Sequence, residues 1–143
     1  MNYYDIITLV ISLIAIIFSV ITFIQNVVHD RKVNTLNAFN LLQEQCFDKL
    51  NVYLPSEIKE ICKNKKSEEY KKLSGYVARL EHFCVGVNNR IYDKKTVYDL
   101  AHGYLDGKVI GERISPIIET KNTDEDYFKN IHIVLEYMKK NAK

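Results

Sequence analysis

At 143 residues the chain has room for one domain and an appendage. Its 20 Lys and Arg against 18 Asp and Glu leave a net charge of +2, too little to draw nucleic acid as a partner. The hydrophobic fraction of 47% is ordinary in amount but unevenly placed along the chain.

The first predicted element is the stretch Ile6 to Ile24, 19 residues without a charge; the next titratable side chains are His29 and Asp30. As a helix it spans roughly 29 Å, the thickness of a bilayer's hydrocarbon core. A core helix of that length needs polar residues on a solvent face, and this one offers only Ser and Thr. A cleaved signal peptide does not fit either. The leader "MNYYD" has Asp5 and no basic residue, the apolar run is too long, and no small-x-small site follows. A transmembrane helix is expected, in a membrane segment over 1–29, followed by a helical domain over 30–143. All Lys and Arg follow the span, beginning with Arg31 and Lys32, so the positive-inside rule predicts an outside N-terminus and a cytoplasmic domain at the inner (cell) membrane. Those two basic residues at the membrane edge are too few for a polybasic lipid site. Cys46, Cys62 and Cys84 are odd in number and set among apolar residues, which predicts reduced, buried thiols.

Within the span, Thr8, Ser12, Ala15, Ser19 and Thr22 follow at steps of 4, 3, 4 and 3. The rhythm extends to Asp5 before it and to Asn26, His29, Val33 and Leu36 after it. One reading is a lone helix whose hydroxyls bond their own backbone. The other is a seam between helices, because lipid supplies no hydrophobic drive and close approach at small residues must bring helices together. With one span per chain, the partner is another chain, and a homo-oligomer is expected. Many copies could turn the same face, from Asp5 to Asn26 and His29, onto a polar lumen.

Beyond the span, "DRKVNTLNAFNLLQEQCFDKLN" predicts a continuing rod with Val33, Leu36, Asn40, Phe47 and Leu50 at near-helical spacing. Pro55 breaks the rod, and Ser56 is a candidate cap for a short helix. The next helix has an apolar stripe of Leu73, Val77, Leu80, Cys84 and Val87, opened by Ser67 with Glu68 and Glu69. Asn88 or Asn89 is expected in a left-handed C-terminal turn. Asp93 caps a further helix that turns Val97, Leu100, Ala101, Tyr104 and Leu105 inward. Ser115-Pro116 is expected to start another, with Pro at the first helical position. The last, "TDEDYFKNIHIVLEYMKK", has capping-box spacing at Thr123 and Asp126 and directs Phe128, Ile131, Leu135 and Met138 to the core. No alternating strand is visible, so the fold class is all-α: an N-terminal transmembrane helix and a cytoplasmic helical bundle.

Enzyme signatures fail. "GYLDGKV" is one residue short of a phosphate loop, lacks a hydroxyl after Lys108 and follows no strand. Gly103, Gly107 and Gly111 are expected to permit a close helix crossing or to break a helix. The four His show no metal spacing and no Cys-x-x-Cys occurs, so neither metal nor cofactor is expected. A helical ribonuclease would space Arg and His four to six apart, which Arg79 with His82 and Arg90 with His102 do not. Glu81 lies beside the apolar stripe. It reads as a boundary carboxylate satisfied by Arg79, a Lys or a Tyr hydroxyl, with a polar recognition pocket as the alternative. "KNKK" is interleaved with Glu and reads as a solvated mixed surface.

"YKKLSGYVARLEHFCVGVNNRIYDKKTVYDLAHGYL" and "ISPIIETKN" resemble a bacterial family of small single-pass membrane proteins with a helical cytoplasmic domain of unknown function. The family's Glu-led helix end, Ile-x-Asp turn and later Pro correspond here to Glu81, Gly86, Ile91, Asp93 and Pro116. Where the family has Phe-Gly, this chain has His102-Gly103. The resemblance covers roughly residues 30–140, and its motifs are structural punctuation. It implies a setting near phage-defence genes, where similar proteins include accessory membrane proteins of RNA-targeting CRISPR systems, some of them pore-forming. The expected function is thus an oligomeric membrane effector or accessory protein of anti-phage defence. The alternative is a membrane-tethered scaffold or regulator that binds a cytosolic protein.

Overall fold

An unbroken helical rod opens the chain, because no Gly or Pro occurs between Tyr3 and Asn51. The computed structural model describes residues 2–105, 110–121 and 127–141, and all regular structure in them is helical. The rod comprises α1 (Tyr3–Leu42), a π-helical turn (Gln43–Phe47) and α2 (Asp48–Asn51), roughly 70 Å in length. At its start the Asn2 N–H donates to the Asp5 carboxylate at 2.8 Å, placing a negative charge at the positive end of the helix dipole.

The rod joins the core along Thr35, Phe39, Leu42, Cys46, Phe47 and Leu50, all buried. The rod continues as the near-helical spacing of Val33, Leu36, Asn40, Phe47 and Leu50 predicts; Phe47 and Leu50 are buried, and Val33, Leu36 and Asn40 are exposed. Those three continue the small-residue face of the span, whereas the bundle packs against the face roughly opposite. The π turn explains how both Phe47 and Leu50 reach the core. It holds more residues per turn than an α-helix and so turns the following side chains back toward the bundle. Arg79 supports the turn by donating to the Gln45 side-chain oxygen at 3.1 Å.

The short α3 (Pro55–Cys62) has Pro55 at its first position, where a missing N–H costs nothing. Ser56 is not its cap: Leu54 occupies that place, and its N–H donates to the Glu57 carboxylate at 2.7 Å. Ser67 does cap α4 (Glu68–Asn88), accepting from the Tyr70 N–H at 3.1 Å. The predicted stripe from Leu73 to Val87 is buried throughout. Beyond α4 the chain reverses into α5 (Lys94–Leu105), with Val97, Ala101 and Leu105 buried and Leu100 and Tyr104 packed at the margin. Gly103 makes no close crossing, having no atom within 4 Å of where a Cβ would stand; Gly107 lies outside the described residues.

Pro116 lies inside α6 (Gly111–Lys121), not at its start. The helix begins earlier because Ile110, Ile114 and Ile117 form one fully buried line, whose burial outweighs the single hydrogen bond a proline forfeits. In α7 (Lys129–Asn141), Ile131, Val134 and Met138 face inward, preceded by the buried Phe128, with Leu135 at the edge. Thr123 and Asp126 lie outside the described residues. Four rings tie the rod to α4 and α5. Phe39 meets Phe47, Phe83 and Tyr104 edge-on at 6.0–6.2 Å, and Phe47 stacks on Tyr104 at 5.6 Å.

Candidate functional site

The free half of α1 is the first feature. Every residue from Asn2 to Asn34 is exposed, and no part of the apolar stretch is covered by the bundle. A core helix of a soluble protein would be buried; this one is long and apolar enough to cross a membrane. Because α1 is continuous, Thr8, Ser12, Ala15, Ser19 and Thr22 line one face, and Asn26 and His29 prolong it. The Thr8 hydroxyl donates to the Tyr4 carbonyl at 2.9 Å and the Ser12 hydroxyl to the Thr8 carbonyl at 2.8 Å, which satisfies both within the helix. Val33 and Leu36, on the same line, remain exposed where Thr35 is fully buried. The bundle therefore leaves this face open along its whole length.

The second feature is the corner where α4 turns into α5 against α1. The Ile91 N–H donates to the Gly86 carbonyl at 2.9 Å, and the Arg90 N–H to the Val87 carbonyl at 3.2 Å. This is a Schellman closure, and its left-handed residue is Arg90 at φ 60°, in place of the expected Asn88 or Asn89. Gly86 serves the corner through its carbonyl and, specifically as glycine, through its lack of a Cβ. Its carbonyl also takes the Tyr92 N–H at 3.2 Å, and a Cβ on it would stand 2.4 Å from the Tyr92 ring, which stacks on Phe83.

Asp93 caps α5 by accepting from the Thr96 N–H and hydroxyl, each at 2.8 Å. The Thr96 backbone bond is the first cause that holds its carboxyl below the usual value; Lys32 and Arg31 add to it. The Asp93 N–H in turn donates to the buried Thr35 hydroxyl at 2.8 Å, and that hydroxyl donates to the Arg31 carbonyl at 2.7 Å. Thr35 is therefore the polar pin between rod and corner, a role no local pattern signals.

Glu81 is satisfied by none of the expected side chains. Its carboxylate accepts the Asn130 N–H at 3.1 Å, the Asn130 side-chain amide at 2.7 Å and the Ile131 N–H at 2.9 Å. It is a cap for the N-terminus of α7, supplied from α4. The Asn88 amide reaches Asn130 from the next turns of α4, donating to its side-chain oxygen at 2.9 Å. Glu81, Gly86 and Asp93 thus each close or open a helix.

Between the lower rod and α4 lies an apolar groove of about 340 Å³, walled by Ala38, Leu41, Phe83 and Tyr92, with Arg79 and His82 on its margin. Its walls come from segments 40 residues apart, so periodicity along the chain could not reveal it. The three thiols are free and buried. Burial pushes Cys46 up to about 12 and raises Cys62, while burial and then the Glu81 carboxylate raise Cys84, so none is a thiolate nucleophile at neutral pH. Among the described residues, no three His, Cys, Asp or Glu side chains converge in a metal-holding group.

No family model, curated protein or solved structure matches the chain.

Proposed function

We propose that this chain is a single-pass membrane protein, N-terminus outside and bundle in the cytoplasm, which self-assembles through the Thr8–Thr22 face and perturbs the membrane. The observation that carries the reading is the junction. The exposed apolar half of α1 and its buried half are one helix, with no linker between them. A mere tether needs only a flexible connection, whereas an unbroken rod passes tilt or rotation of the bundle directly into the span. The orientation is supported by Arg31 and Lys32 on one flank and Asp5 on the other. Assembly is supported by the uncovered small-residue face, since packing in lipid depends on such close approach. The setting of anti-phage defence rests on the sequence resemblance alone.

Expression in bacteria with a potential-sensitive dye tests this reading. The wild-type chain depolarises the membrane and cross-links to itself. Ser12→Leu with Ser19→Leu still inserts, but neither associates nor depolarises. If the doubly substituted chain assembles and depolarises as before, the face plays no part.

The groove at Ala38, Phe83 and Tyr92 favours a second reading, a membrane-tethered scaffold that binds a cytosolic protein without permeabilising the bilayer. A chain that inserts and leaves the membrane potential intact follows that reading.

A further inference from the structure

Along the bundle, α4 runs antiparallel to the rod. Arg79 meets Gln45, Phe83 meets Phe39, and Asp93 meets Thr35. Each step up α4 is a step along α1 toward the apolar stretch. The α4–α5 corner is therefore the membrane end of the bundle, at the level of Arg31–Thr35. Ile24 ends the apolar stretch, and Arg31 lies seven residues on, roughly 10 Å along the axis, which on the membrane reading is headgroup depth.

This arrangement gathers charges that are far apart in sequence. Arg31 and Lys32 on α1 lie near Asp93, which Thr35 ties to the Arg31 carbonyl, and the corner that carries Asp93 also carries Arg90, Lys94 and Lys95; Asp30 and Asp93 are the acidic groups on these two segments. The Asp93 carboxylate is committed to capping α5. Lys94 is drawn aside over the Tyr137 ring, 5.5 Å from its centre. Arg31, Lys32, Arg90 and Lys95 are exposed and make no salt bridge among the described residues. At the tip stands Ile91, 61% exposed, next to Arg90 in a left-handed conformation that favours glycine.

We infer that the α4–α5 corner docks on anionic lipid headgroups of the bilayer that the same chain enters, through Arg31, Lys32, Arg90 and Lys95, with Ile91 seated in the interface. The inference rests on the membrane reading of α1. It gives the bundle a second foothold and sets its tilt: one rigid body held by the rod and by the corner. The basic patch at the membrane edge has four open cations where the linear sequence offers two.

The chain has no Trp, so Ile91→Trp supplies a sole indole reporter. The full chain is reconstituted in phosphatidylcholine vesicles with or without phosphatidylglycerol, both doped with lipid brominated near the headgroup. The indole is expected to be blue-shifted and quenched in the anionic vesicles, much less in the zwitterionic ones, and released by high salt. Adding Arg90→Gln and Lys95→Gln lowers the docked-to-undocked ratio roughly 25-fold, at roughly five-fold per charge. Arg90→Gly lowers it about five-fold while relieving the backbone, so its effect is not one of misfolding. Equal quenching in both lipid mixtures, or quenching untouched by either variant, overturns the inference and leaves the span intact. A chain that floats with neither vesicle overturns the span and this inference with it.

Discussion

Glu81 holds the start of α7 mainly through its backbone. Two amides at the first turn of α7, at Asn130 and Ile131, and one side-chain amide end on its carboxylate. Glu81→Ala strands those donors at a partly buried site, and unfolding in detergent should be easier by about 2 kcal/mol. Glu81→Gln, which keeps an acceptor, should lose less. Hydrogen exchange checks the assignment, since the α7 amides should lose protection before those of α4. Asp93 acts just past the C-terminus of α4, at the start of α5. Its folded pKa lies below the ordinary 3.8, so its stabilisation is complete above that value and is lost as the pH falls through the folded one. Asp93→Ala should cost about 1 kcal/mol at neutral pH, the usual worth of an N-cap. In a pH series of unfolding free energies, the gap between variant and wild type should close below about pH 4.

At the scale of elements, the joint between rod and bundle depends on rings. Phe47 is fully buried, stacked on Tyr104 and edge-on to Phe39. Phe47→Ala should cost about 3–5 kcal/mol in thermal or urea unfolding, as expected of a large core truncation. Gly86→Ala should destabilise through its clash with the Tyr92 ring, and Tyr92→Ala should remove most of that penalty in a double-mutant cycle. The helices themselves were legible because their signals are local. Ser67 and Asp93 cap where their spacing says, and the α4 stripe is buried as its periodicity requires. The errors have one source, a non-local choice overriding a local pattern. Pro116 sits inside α6 because an isoleucine line extends the helix past it. Arg90 takes the left-handed turn where an Asn was expected, because Gly86 and Tyr92 fix the closure one residue later. The groove and the Thr35 pin were illegible, since each needs residues brought together from distant segments.

For the whole molecule, the governing feature is that one helix belongs to two environments. Residues 3–34 of it contribute nothing to the core, yet from Thr35 onward it supplies the core's first layer. A soluble protein with so much bare Ile, Leu, Val and Phe would aggregate or bury it in a partner. A bilayer accounts for the length, the uncharged stretch and the charged flanks together. On the proposed reading such a chain would act as a lever, because no loop separates the bundle from the span. The measurement that bears most directly on this is aqueous thiol labelling of single cysteines placed from Tyr3 to Lys32 in the full chain, in native membranes. The natural thiols are buried and should stay silent. Positions 6–24 should resist the reagent, Tyr3→Cys should react only from outside and Lys32→Cys only from the cytoplasmic side. Uniform labelling along α1, in a chain that remains dissolved without detergent, would contradict the account.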